Sequence, residues 1–303
     1  MFRFRLVNTI SDLSMALSFV VYTLGVTLLG PSPLALAESS KALARFALVD
    51  ITRDPGGNPE LTPEGQLVSS NWSGYVLPNF QTGDVYTSVQ ATWVVPEVPY
   101  ENKKHDSTEW IGIGGFCKDP RCRKIDQTLI QVGTGQDPLG GPENVYFSWY
   151  QMSPGVVFGG PIGPHPGDEI TASLSCNPCT GSQTWTVSMV DNTTGESWTE
   201  DFSYQSSQLS AEIVEGTSTD QRGIFPLANY GTATFDQSSV NGGSADLSVG
   251  YSIVLREPQH KSSIVSTLDS TFDGFSACFE SRKRVAPCLF MPLPSALSGL
   301  TFY

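Results

Sequence analysis

Charge is scarce in this chain, and histidine nearly absent. Charged residues make up 16% of its 303 positions, against roughly a quarter in ordinary soluble domains. The formal net charge is −13 and no long basic stripe is present, so the clustered Lys and Arg that neutralise phosphates are missing and a nucleic-acid partner is excluded. No stretch between Ser70 and Glu280 sustains a helical apolar period for three turns, which excludes bundles and coiled coils. There is no H-E-x-x-H, no G-x-S-x-G and no Asp-Ser/Thr-Gly, and His105, His165 and His260 are scattered. Zincin, serine-triad and aspartic-peptidase chemistry therefore lack their residues. Any acid–base work falls on carboxylates.

Turn formers and aromatics are plentiful. Gly (29) and Pro (21) punctuate the chain, and aromatics reach 11%. Between them lie short alternating or β-branched runs: Ser88–Val95, Trp110–Ile113, Thr128–Thr134, Val145–Tyr150, Glu169–Ser175, Thr184–Val190, Leu209–Val214, Ala233–Phe235 and Ser248–Leu255. Asp191-Asn-Thr-Thr-Gly195 reads as a hairpin turn. Strands so spaced, without helices between them, predict an antiparallel two-sheet β-sandwich or jelly roll.

The ends of the chain read differently. Arg3 and Arg5 precede an uncharged apolar run, Ser14 to Gly30, and Ala35-Leu36-Ala37 forms a small-x-small site before Glu38. Residues 1–37 are thus expected to be a cleaved secretory signal; an uncleaved anchor is the alternative, the run lying at the lower edge of bilayer-spanning length. Residues 38–66, rich in Pro and Gly, are expected to be a linker or a removable pro-segment, 67–280 the folded domain, and 281–303 a C-terminal extension. Cleavage leaves no membrane attachment and a secreted, monomeric protein. Cys117, Cys122, Cys176, Cys179, Cys278 and Cys288 then read as disulfides rather than zinc ligands, since Cys176-x-x-Cys179 has no second such pair. No metal is expected. Asn71-Trp-Ser and Asn192-Thr-Thr match the glycosylation pattern.

Strand parity sorts the polar residues. Ile130 and Val132 share one face, Leu129, Gln131 and Gly133 the other. Ile111 and Ile113 oppose Trp110, Gly112 and Gly114. Leu209, Ala211 and Ile213 oppose Ser210, Glu212 and Val214. Each strand has an aliphatic face for a core and a second face able to line a groove, with small glycines beside Trp110 leaving room for a ligand.

Ser70-Asn-Trp-Ser-Gly-Tyr-Val76, Ala91-Thr-Trp-Val-Val-Pro96, Glu109-Trp-Ile-Gly-Ile-Gly-Gly115 and Leu129-Ile-Gln-Val-Gly-Thr134 occur in that order. Ser148-Trp-Tyr-Gln-Met-Ser-Pro154, Asn192-Thr-Thr-Gly195, Ala211-Glu-Ile-Val-Glu215 and Leu227-Ala-Asn-Tyr-Gly231 follow. This succession resembles the glutamic peptidases, or eqolisins, in their prokaryotic form. The resemblance implies a concanavalin-like sandwich and a cofactor-free acid endopeptidase that acts on proteins or peptides. It places the catalytic pair on Gln131 and Glu212, and cleft-lining positions on Trp110 and Trp72. Three departures stand out. One residue fewer separates Glu212 from Glu215, which makes Glu215 a rival, although parity puts it on the aliphatic face. Gly114 stands where fungal members have an aspartate, and Gln151 where a glutamate is common. The competing reading is a carbohydrate-binding or glycan-hydrolysing jelly roll, with Trp72, Trp110 and Trp149 as a stacking platform.

Overall fold

The computed structural model describes residues 47–100, 105–137, 144–220, 223–257, 261–281 and 287–293. The expected signal segment lies outside the described residues. Two curved antiparallel layers make up the body. One carries, in spatial order, Lys261–Val265, Tyr251–Arg256, Trp72–Pro78, Ser210–Gly216, Ser107–Gly114, Leu129–Asp137, Val145–Ser153 and Val157–Gly159. The other carries Ser197–Ser203, Thr184–Asp191, Glu169–Cys176, Ser88–Val94, Thr232–Val240 and Phe275–Ser281. Pairing of Phe275–Ser281 with Lys261–Val265 carries the hydrogen bonding from one layer into the other. This is the antiparallel sandwich that strand spacing predicted. Five of its strands were not among the expected runs: Ser197–Ser203, Lys261–Val265, Phe275–Ser281, Trp72–Pro78 and the short Val157–Gly159. The first is mostly exposed and polar, with only Trp198 and Phe202 half-buried against the core, so its sequence offers little alternation to betray it.

Alternation explains where the core sits. Ile111, Ile113, Ile130, Val132, Ala211 and Ile213 point inward and meet Trp93, Ile170, Leu174, Val187, Phe235 and Phe275 of the second layer. Each fully buried aliphatic side chain contributes about 1.5–3 kcal/mol, so register is strongly specified: a one-residue slip would turn this set outward. The opposite face of the first layer is apolar too. Trp72, Trp110, Leu129, Trp149 and Val214 gather there with Val49, Ile51 and Leu67.

Residues 47–69 fold onto this second face. Ala47 and Leu48 present their carbonyls to Trp72 Nε1 (3.2 Å) and Asn71 Nδ2 (3.0 Å), and Val49 N donates to the Gly115 carbonyl. Leu67–Ser69 pairs in parallel with Tyr251–Arg256. Asn71, one of the two glycosylation patterns, is fully buried in this junction. The cysteines pair as Cys117–Cys122, Cys176–Cys179 and Cys278–Cys288. The last of these ties the described part of the C-terminal extension to its neighbouring strand, and Met291 N adds a bond to Ser276 Oγ. No helix among the described residues is long and apolar enough to cross a membrane.

Candidate active site

Three adjacent strands bring Gln131 and Glu212 together. Glu212 stands directly opposite Gly112, and Gly112 directly opposite Gln131. Residues opposed in antiparallel strands project to the same face. The two side chains therefore rise from one face with a single strand between them, roughly 10 Å apart at the backbone. Gly112, lacking a side chain, lets its neighbours close over that intervening position. A Cβ there would stand 2.8 Å from Trp110 Cζ3, 2.9 Å from Leu129 Cδ1 and 3.3 Å from Glu212 Oε2. The glutamate thus leans over the glycine, toward the glutamine.

The row continues to Gln151, which lies opposite Gln131. Gln131 Nε2 donates to Gln151 Oε1 at 2.9 Å, and Gln151 Nε2 donates to the Gly155 carbonyl at 2.8 Å. This chain fixes which way the Gln131 amide faces. Its Oε1 is left buried without a partner, as are both carboxylate oxygens of Glu212. Buried polar atoms seldom stay unpaired, and these three, on two strands of one face, have acceptor capacity for a water. Burial holds the Glu212 carboxyl well above its ordinary proton affinity; the Ser210 hydroxyl opposes this, and the charge of Asp126 adds to it.

A family model matches residues 70–272, which is well over half of the chain. The chain belongs to the Peptidase A4 family, the glutamic peptidases. Among solved structures it is similar to scytalido-glutamic peptidase with a transition state analogue inhibitor, at TM-score 0.56 and 21% identity over 70% of this chain and 98% of that one. It is similar as well to SCP-B, a member of the eqolisin family in complex with the tripeptide Ala-Ile-His, at TM-score 0.53 and 21% identity over the same shares. At such identities the likeness carries the fold. A search of curated proteins found no match.

In this glutamic peptidase the rival acid sits elsewhere. Glu215 lies opposite Glu109, buried at the core-facing side, with Tyr230 and Asp106 near enough to influence their titration. Trp110 and Trp72 are on the Gln131 face, ring centroids 4.9 Å apart and edge-on, and Trp149 shares that face, its Nε1 bonded to the Thr134 carbonyl. All three are at most 2% exposed, so no flat aromatic platform is offered to a sugar. Gln151 takes the place of the common glutamate yet still accepts from Gln131. Sequence reasoning missed Asp126: nothing in Lys124-Ile-Asp-Gln-Thr128 marks it, because Ser207, which donates to it beside Thr128, comes from a loop distant in the chain. The carboxylate oxygens of Asp236, Asp269 and Asp273 come within 4.8 Å of one another, in the other layer's strand and its flanking loop. Thr271, Ser244 and backbone amides occupy them.

Proposed function

We propose that this protein is a secreted acid endopeptidase in which Gln131 and Glu212 activate one water molecule. The observation that carries this reading is the row Glu212–Gly112–Gln131, with its three buried oxygens lacking partners. Peptide hydrolysis requires a base for water, a donor for the developing oxyanion and an acid for the departing nitrogen. Ionised Glu212 takes a proton from the water as its oxygen bonds to the carbonyl carbon. Gln131 Oε1 holds that water, and the Nε2 hydrogen not given to Gln151 faces the oxyanion. Glu212 then returns its proton to the nitrogen as the C–N bond breaks. An amide cannot titrate, so the donor keeps its polarity across the acid range. Protein or peptide chains are the substrates.

Three disulfides suit an oxidising compartment, and the signal-like start directs the chain there. Residues 38–66, described from 47 on, belong to this reading as a removable pro-segment. With Val49 and Ile51 seated in the same cluster as Trp72 and Trp110, water and substrate are kept from the dyad and burial keeps Glu212 protonated. Their departure hydrates the carboxyl and returns it toward its ordinary range.

Gln131→Ala and Glu212→Gln should each abolish cleavage of denatured protein near pH 4, by a factor on the order of 100 or more, with unchanged melting curves. Glu215→Gln should remain active. Full activity in either dyad variant refutes the assignment.

A further inference from the structure

Gly112 is not the only position on the central strand's active face where close packing requires glycine. Gly114, two residues on, has φ +93°, and a Cβ there would stand 2.2 Å from the Thr128 carbonyl and 3.2 Å from Asp126 Oδ2. The space that a side chain at 114 would use is filled from outside the strand, first by the Thr128 carbonyl and then by the Asp126 carboxylate.

Asp126 is 1% exposed. It accepts from Thr128 N at 3.2 Å, from Thr128 Oγ1 and from Ser207 Oγ, and Lys118 Nζ lies 3.4 Å away. Asp126 stands five residues ahead of Gln131, and Ser207 five ahead of Glu212. Ser207 N closes the bridge by donating to Thr128 Oγ1 at 2.9 Å. The carboxylate thus spans the end of the central strand and joins the entries of the two strands that carry the dyad. We propose that Asp126 is a positioning residue for Glu212: it clamps the glutamine and glutamate strands at equal offsets and sets the charge that Glu212 faces. This rests on the Gln131/Glu212 reading.

The charged and titratable groups around it are few. Asp126 and Tyr86 interact electrostatically with Glu212. Lys118 and Tyr204 face Asp126, Tyr204 through a hydroxyl that bonds Leu129 N and the Ser153 carbonyl. A negative Asp126 disfavours ionised Glu212 and so moves the base form to higher pH; Lys118 partly offsets this.

The test is the pH profile of kcat/KM, whose acid limb reports ionisation of the base in the free enzyme. Asp126→Asn keeps one accepting oxygen and removes the charge, so the acid limb should move to lower pH. One unit below the wild-type limb, the variant should retain about threefold more of its own maximum. Lys118→Ala, at a half-exposed side chain, should move the limb the other way and decides the matter if the Asn variant does not fold. Ser207→Ala should lower kcat with the limb in place, because it loosens the clamp without changing charge; an unchanged kcat overturns the clamp. Wild-type limbs in both charge variants overturn the proposal even if kcat falls. Glu212→Gln, assayed alongside, separates the failures: retained activity there sinks the dyad, whereas an inactive variant with unmoved limbs sinks only the role of Asp126.

Discussion

Replacing Glu215 by Gln should stabilise the protein at neutral pH and leave its acid stability nearly unchanged. Glu215 and Glu109 are directly opposed on neighbouring strands and fully buried. Glu109 Oε2 has two donors, Thr134 Oγ1 at 2.9 Å and Gln136 Nε2 at 2.7 Å. Both Glu215 oxygens lack such partners. Burial, then the facing Glu109 charge, hold Glu215 well above its ordinary value of 4.5, and burial raises Glu109. A carboxyl raised on folding contributes stability that is complete below its unfolded value and is lost as pH rises through the folded one. The pair therefore favours the fold in acid and costs stability toward neutrality. Gln keeps the shape and a donor for Glu109 without the ionisation. Relief of about 2 kcal/mol at pH 7, within the range for one unsatisfied buried polar group, corresponds to a rise of about 4–8 °C in Tm for a domain of this size. Asp106, raised by burial to about 6, adds a loss of the same sign between about pH 4 and pH 6. Calorimetry at about pH 3.5 and pH 7 reads the difference directly. An equal change in Tm at both pH values, or a less stable variant at neutrality, would refute the reasoning.

Two further outcomes follow from the covered site. Gly112→Ala should cut activity at least tenfold, because its methyl would meet Trp110, Leu129 and the Glu212 carboxylate and a misplaced reacting group costs rate steeply; wild-type kcat would show that the packing over Gly112 does not position Glu212. Sequencing the N-terminus of protein recovered after acid exposure should find a start near residue 66 together with a gain in activity. A start near Glu38 in fully active protein would remove the pro-segment from the account.

The face each residue occupies was legible because alternation has a period of two and one sheet face must be dry. That is why Ile130 and Val132, Ile111 and Ile113, and Ala211 and Ile213 could be assigned inward, leaving Gln131, Gly112 and Glu212 together on the other side. The same alternation separated Glu212 from Glu215. Mostly exposed strands, such as Ser197–Ser203, gave little such signal. The ordered motifs carried the family, and their departures at Gly114 and Gln151 could be noticed but not interpreted.

Residue type, parity and motif order were thus determined by the sequence alone, since each depends on neighbours within a few positions. Register between strands distant in the chain was decided only by the tertiary structure. It set Glu212, Gly112 and Gln131 in one row, opposed Glu215 to Glu109, and packed the Thr128 carbonyl and the Asp126 carboxylate against Gly114. The physical reason is that each of these contacts depends on how two layers pack and close, which no local pattern encodes.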